Sequence, residues 1–379
     1  MLLELGVWSG ISYLLHRSLF GPVSDKKKIE KTFENTGFRV KDKLPMHCYT
    51  HKKKGYTVYA YNLPYGLTDN PKLEFILEKT LNKPVVFKMD TKLKIKVYKE
   101  PLRKKYDYSF VELPKWNVPI GYGLDGLITH DFSSVPHMTI AGATTWGKTV
   151  FMKMLMTHLI ENNPDGVEFY ILDLKGGLAF HRYRNLKQVN IVAGDLSDSK
   201  NALSMVKADI KRDLNYFKEI NAENAKEAGA KTRKFIIIDE AGELVPHKSM
   251  SDKDKEHAKK CQEILSYIAR VAGQLGYSLL FSTQYPTSDI LDRQIKANSL
   301  AKVSFRLSTI KQSEVALDQI GAESLEYPGR AIYKTAEEQI VQTPFINNKE
   351  MWERLRRFEE SDPTREKDQE RRKDTVTFE

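Results

Sequence analysis

The sequence predicts an α/β fold, with a parallel sheet flanked by helices behind a smaller N-terminal α+β domain. Four stretches predict it. The run from His137 to Phe151 reads His-Met-Thr-Ile-Ala-Gly-Ala-Thr-Thr-Trp-Gly-Lys-Thr-Val-Phe, a complete G-x-x-x-x-G-K-T loop set between a short apolar strand and a helix. Phe235-Ile236-Ile237-Ile238-Asp239-Glu240 reads as a buried strand that delivers adjacent carboxylates to its C-terminal end. Residues 169–173 and 279–284 are further apolar runs with polar ends, the place where a parallel α/β sheet collects ligand-contacting groups.

The loop spacing has a chemical reason. Glycines let successive backbone N–H groups curl around a phosphate, and the helix that follows adds the positive end of its dipole. The strand is expected at 138–141 and the helix at 150–160, with Val150, Met154, Leu155 and Leu159 on one face. Gly142, Ala143, Thr144, Thr145, Trp146, Gly147, Lys148, Thr149 and Val150 are the candidate nucleotide-binding residues. Lys148 would reach the β- and γ-phosphates, and Thr149 would hold Mg²⁺. Trp146 stands where a small residue is common, so it must pack on the protein or face a ligand.

About 90 residues after Lys148, Asp239 would hold Mg²⁺ directly or through water, and Glu240 would polarise an attacking water as general base. Gln284 reads in two ways. It would sense a γ-phosphate or orient the water, or it would cap the turn after its strand.

Composition bounds the rest. The chain has 379 residues, 41% hydrophobic and 29% charged, enough for one large core and a smaller domain. A net charge of +10 favours a polyanionic partner, nucleic acid or anionic lipid, or else marks a solvated basic surface. Cys48 and Cys261 form neither a metal-ligand spacing nor a disulfide framework, which points to a reducing compartment.

In chain order, residues 1–20 are apolar but broken by Glu4, His16 and Arg17, too short a run for the roughly 20 residues of a bilayer span. Leu3, Val7, Ile11, Leu14 and Leu15 fall on one face of a helix (1–25) that would lie on a membrane or dock on a partner subunit. Residues 26–117 read as a small basic α+β domain, with helices at 28–37 and 70–81, a strand at 56–63, and a hairpin at 85–89 and 93–97. Its lysines, interleaved with Tyr49, Tyr56, Tyr59 and Tyr61, fit a nucleic-acid backbone or a solvated strand face. The core domain spans 118–346. It opens with strands at 120–123 and 127–130. Further on it has a strand at 189–192, a helix at 196–221, a polar loop at 221–234 and a helix at 258–275. The C-terminal part, 347–379, carries a helix at 347–358 and a mixed-charge tail.

Several blocks together resemble the FtsK/SpoIIIE DNA translocases, particularly the coupling proteins of conjugative and integrative elements. They are Pro136-His137, the phosphate loop, Leu172-Asp173-Leu174-Lys175, Ile238-Asp239-Glu240, Ser282-Thr283-Gln284-Tyr285-Pro286, Ile295-Lys296-Ala297-Asn298, Val303 to Ser308, Leu317-Asp318, Gly321 to Leu325, and Gly329-Arg330-Ala331-Ile332-Tyr333. The sequence departs from the family pattern at Trp146, Tyr285 and Glu314.

The resemblance implies a RecA-like P-loop ATPase core of the ASCE type, with ATP and Mg²⁺ bound between the subunits of a hexameric ring. It implies movement along DNA, read as duplex and largely without sequence preference, in the transfer or replication of a mobile element. Partners would be a relaxase or secretion-channel proteins, and the setting cytoplasmic, peripheral to the inner face of the cell membrane. It also implies an arginine acting in trans, for which Arg306 and Arg330 are candidates. Two rival readings are a DNA-bound adaptor that uses ATP as an assembly switch, and a secretion-type ATPase acting on single strands or proteins.

Overall fold

The computed structural model describes residues 23–290 and 293–360. The expected helix over residues 1–20 and the charged tail lie outside the described residues. The chain divides into two compact units between Pro101 and Leu102. Residues 102–117, grouped by sequence with the small domain, contribute a strand and the buried Tyr108 to the larger unit.

In the smaller unit, helix α1 (Asp25–Thr36) is opened by Ser24, whose hydroxyl accepts from Lys27 N, and closed by Gly37 in the left-handed conformation. Strands β1 (Met46–Lys52) and β2 (Tyr56–Asn62) form a hairpin. Helix α2 (Pro71–Leu81) has Asn70 as its N-cap and proline in its first turn, and it ends at Asn82, as the sequence predicts. Strands β3 (Val85–Met89) and β4 (Leu93–Tyr98) follow. The antiparallel order is β1-β2-β4-β3. Alternation along the strands sends Tyr59, Tyr61, Leu93, Ile95 and Val97 into one core with Ile29, Phe33, Leu73 and Leu77 of the helices. Each such side chain contributes about 1.5–3 kcal/mol on burial. Strand β1 escapes the sequence reading because, as an exposed edge, it carries little apolar alternation.

The larger unit is built on a ten-stranded sheet. Its strands in chain order, after the two-residue β5 (Tyr106–Asp107), are β6 (Asn117–Gly123), β7 (Gly126–Asp131), β8 (Met138–Ala141), β9 (Val167–Leu172), β10 (Val189–Ala193), β11 (Arg233–Ile238), β12 (Tyr277–Thr283), β13 (Ala301–Phe305), β14 (Arg330–Lys334) and β15 (Glu338–Gln342). A short β16 (Pro344–Phe345) pairs with β5 outside that sheet. The order is β10-β9-β11-β12-β8-β13-β14-β15-β6-β7, parallel from β10 to β13 and antiparallel from there on.

Helices cover both faces of the parallel part, which is why its strands read as continuous apolar runs. Phe235 and Ile237 of β11 face one core, with Phe169 and helix α3 (Lys148–Asn162). Ile236 and Ile238 face the other, with α4 (Leu196–Glu219) and α5 (Asp252–Val271). Helix α3 is buried on more than the one face its apolar spacing indicates: Phe151, Met152, Met156, Thr157 and His158 are also enclosed. Helix α5 starts six residues earlier than its apolar pattern, because Ser251 caps it by accepting from Asp254 N. Short helices α6 (Arg293–Asn298), α7 (Ile310–Leu317) and α8 (Asn348–Leu355) complete the unit. No helix among the described residues is long and apolar enough to cross a membrane.

Candidate active site

Strand β12 lies between β8, which feeds the phosphate loop, and β11, which carries Asp239 and Glu240. The ends of these three parallel strands therefore meet at one edge, and the end of β12 stands between the loop and the carboxylates. This arrangement builds the site.

The loop is pinned from both sides. Gly142 N donates to Thr283 O of β12, Ala143 N to Arg306 O after β13, and Gly329 N to Trp146 O. Gly142 is required by space, since a Cβ there would stand 2.7 Å from the Phe305 Cβ. Gly147 is required by conformation: it is the N-cap of α3 with φ +109°. Thr145 also sits in the left-handed region, at φ 69°, a backbone strain of the kind found at ligand sites. Helix α3 has no side-chain cap and no acidic residue in its first turn, so its leading N–H groups remain available to an anion.

Lys148 is buried at the centre. Its Nζ donates to Asp239 O at 2.7 Å and lies 3.9 Å from Asp239 Oδ1 and 3.6 Å from Glu240 Oε2. Burial lowers the Lys148 pKa, against the pull of Asp239 and Glu240, and burial raises that of Asp239. Thr149 Oγ1 is 3.4 Å from Asp239 Oδ1, which places a hydroxyl and a carboxylate oxygen side by side as a hard divalent cation requires. Glu240 is held by three donors: Oε1 accepts from Thr283 Oγ1 at 3.0 Å and Gly242 N at 3.3 Å, and both oxygens accept from Gln284 N at 3.2 Å. The donor set fits a triphosphate with a magnesium ion, having one buried ammonium, free helix N–H groups, a hydroxyl beside a carboxylate and a second carboxylate behind them.

Gln284 takes part through both its main chain and its side chain. Its Oε1 accepts from Thr144 Oγ1 at 3.0 Å and from Lys175 Nζ at 2.9 Å, so it ties the phosphate loop to the segment after β9. Lys175 was legible in sequence only at the polar end of the strand at 169–173 and as part of a resembling block. Asp173, at the end of β9, is fully buried; its Oδ2 accepts from Phe180 N at 2.9 Å and its Oδ1 has no hydrogen-bond partner among the described residues. Ser282 Oγ donates to the same Asp239 carbonyl that Lys148 holds.

Trp146 is half-buried and packs on the core rather than standing open to a ligand. The Arg306 guanidinium stacks over its ring at 4.8 Å. Arg330 is committed elsewhere: its Nε donates to Gln342 Oε1 at 2.9 Å and its Nη2 to the carbonyls of Leu102 and Arg103. The structure thus brings together the loop, Asp239, Glu240 and Gln284, sets Arg306 on the loop of its own chain, and places Arg330 in a structural cluster. Tyr285 is exposed beside Gln284.

With this geometry in view, residues 111–275 match the FtsK/SpoIIIE family model. The chain carries an FtsK/SpoIIIE domain. Among curated proteins, it is 26% identical over 245 residues to a DNA translocase FtsK of Chlorobaculum tepidum, an alignment covering 59% of this chain and 29% of that protein. It is 30% identical over 214 residues to a DNA translocase FtsK of Campylobacter jejuni, covering 54% of this chain and 22% of that one. The chain thus spans less than a third of the length of these FtsK relatives. Among solved structures, it is similar to the pCW3 conjugation coupling protein TcpA in its monomer form with ATPgS. That match has a TM-score of 0.65 and 20% identity, and covers 88% of this chain and 99% of that one. It also resembles the cytoplasmic domain of the type VII secretion ATPase EccC of Thermomonospora curvata, with a TM-score of 0.57 and 20% identity, covering 65% of this chain and 31% of that one. These likenesses show the fold: the FtsK/SpoIIIE domain here has the α/β architecture of P-loop ATPases.

Proposed function

We propose that this chain is an ATP-driven DNA translocase. The observation that carries the reading is the convergence of Lys148, Thr149, Asp239, Glu240 and Gln284 at one edge of the sheet, within and beside the FtsK/SpoIIIE domain. The loop N–H groups and Lys148 would bind the triphosphate of ATP. Thr149 and Asp239 would hold Mg²⁺, whose charge offsets that of the phosphate oxygens. Glu240 would take a proton from the attacking water at a carboxylate oxygen, with its orientation fixed by Thr283 and the Gln284 amide. Gln284, joined to Thr144 and Lys175, would pass the state of the γ-phosphate to the neighbouring segment.

The polyanion is DNA, held through its backbone and without sequence preference, as the names of the curated relatives and the net charge of +10 support. The working form is a homo-hexameric ring. The setting is the transfer or replication of a mobile element, with a relaxase or secretion-channel proteins as partners, a reading supported by the fold likeness to a conjugation coupling protein. We place it in the cytoplasm, with residues 1–20 as the contact to the inner face of the membrane; two free thiols agree with a reducing setting. For the trans arginine we retain Arg306, which is exposed after β13 against Trp146, over Arg330, whose Nε and Nη2 are already engaged.

The fold likeness to a secretion ATPase favours one second reading, a motor acting on protein. ATP hydrolysis by the purified chain, measured with no DNA, single-stranded DNA and long duplex, tests both. Stimulation by duplex supports the translocase. Turnover indifferent to DNA rejects it.

A further inference from the structure

The sheet of the smaller unit has two unlike faces. One is covered by α1 and α2 and holds the core. Every carboxylate on these elements is on the helices, at Asp25, Glu30, Glu34, Glu74 and Glu78. The four strands carry none. Lysines near the helices find carboxylate partners: Lys83 pairs with Asp25 at 2.7 Å, and Lys26 with Glu30 at 3.8 Å.

The residues that point away from the core mix the lysines Lys88, Lys94 and Lys96 and the rings of Tyr56 and Tyr98 with the aliphatic Val58, Ala60 and Val86. Read across the strands by their pairing, one row runs Tyr49, Ala60, Lys94, Lys88. Lys88 and Lys94 are directly opposite each other on adjacent strands, and both are exposed. Like charges so placed are destabilising. Edge protection, the usual structural use of strand lysines, accounts for Lys88 on the edge strand β3 but not for Lys94 on the interior strand β4. The neighbouring side chains hold further ammonium groups over rings. Lys92 Nζ lies 5.7 Å from the Tyr49 ring and Lys53 Nζ 5.7 Å from that of Tyr56. Lys52, Lys53 and Lys54 extend the array at the β1–β2 turn, all exposed.

We infer that this sheet face of the smaller unit is a DNA-binding surface and that it holds the phosphate backbone. A sheet whose strands carry a concentrated positive array and no carboxylate, with the exposed Asp90 of the β3–β4 turn beside Lys92, offers phosphates an excess of cationic partners. The tyrosine rings support lysine heads instead of lying bare, so the surface reads charge and not base identity. The choice of DNA as the polyanion rests on the proposed function; the surface itself rests on the charge segregation.

The test uses the full chain without nucleotide, binding an end-labelled mixed-sequence duplex across a salt series, with wild type, the double variant Lys88→Gln/Lys94→Gln and the control Lys31→Gln/Lys72→Gln on the helix side. Removing the opposed charges relieves repulsion, so the double variant folds, and its DNA-free ATPase rate matches wild type. The expected result is a slope of log K against log salt shallower by about 1.8, with affinity lowered roughly 10- to 100-fold near 0.1 M salt, and an unchanged control. An unchanged slope and affinity in the double variant overturn the surface even if duplex DNA stimulates ATPase activity. Loss of binding in the double variant upholds the surface even if no hydrolysis is found, in which case it is the translocase reading that fails. Wild type that binds anionic phosphatidylserine vesicles but not DNA also overturns it.

Discussion

Lys148 donates through Nζ to the main-chain carbonyl of Asp239 at 2.7 Å, while the carboxylates of Asp239 and Glu240 stand farther off, at 3.9 and 3.6 Å. The loop lysine is thus fixed by the backbone at the end of β11, and its charge is shared between two acids and not spent on one. Replacing it with alanine leaves both carboxylates without a counter-charge and the phosphates without their ammonium. Lys148→Ala is expected to lower ATP turnover by roughly 100- to 1000-fold or more. Steady-state phosphate release checks it, and turnover within tenfold of wild type would remove Lys148 from the site.

Glu240 accepts from Thr283 Oγ1 and the Gln284 amide, contacts that a glutamine carbonyl oxygen can keep. Glu240→Gln is therefore expected to fold and bind ATP as wild type does, but to hydrolyse it roughly 100- to 10,000-fold more slowly. Binding of a fluorescent ATP analogue and single-turnover hydrolysis separate the two effects. Loss of binding together with turnover would make Glu240 a structural ligand.

Trp146 stands where the family pattern has a small loop residue; Arg306 covers its ring and it packs against the core. Trp146→Ala removes both contacts. The expected cost is about 2 kcal/mol in urea unfolding, the scale of a partly buried aromatic side chain plus a cation–π contact. Arg306→Ala should cost less, about 0.5–1 kcal/mol. Equal stability of Trp146→Ala and wild type would show the ring to be unpacked in solution.

Three buried histidines, His130, His137 and His158, set an acid limit to stability. His130 lies between Tyr333 Oη and Val135 O, each at 2.9 Å, and His137 Nδ1 accepts from Leu279 N at 3.0 Å. Burial pushes all three down to about 4. The unfolded chain takes up these protons below about 6.5, while the native state does not until about 4. Stability should therefore fall as pH drops through that window, by about 1.4 kcal/mol per pH unit for each histidine. Asp239, raised by burial, acts in the opposite direction as a single group. Thermal midpoints between pH 7 and about pH 5 check this, since ordinary carboxylates titrate lower; a flat profile would contradict it.

The phosphate loop, β11 and β12 were legible because fixed spacings and apolar runs encode them locally. So were α2 with its end at Asn82 and the body of α1, though α1 starts three residues before the expected 28 and the N-caps Ser24 and Asn70 were not read. What was not legible comes from strand order. No local pattern states that β12 inserts between β8 and β11, and that insertion alone brings Gln284 to Glu240, Thr144 and Lys175. The fates of the arginines were equally hidden. Arg306 and Arg330 look alike in sequence, yet one stacks on Trp146 and the other ligates carbonyls from the start of the larger unit. Strand β1 was missed because its burial is slight, and the enclosure of α3 because cover from elements distant in sequence buries its second face.

The most direct test of the central claim is ATP-dependent displacement of a third strand from long duplex DNA by the purified chain. The account predicts displacement that requires hydrolysable ATP, is abolished by Lys148→Ala and Glu240→Gln, and weakens with salt. Vigorous ATP hydrolysis on duplex with no displacement at any distance from the DNA end would contradict it.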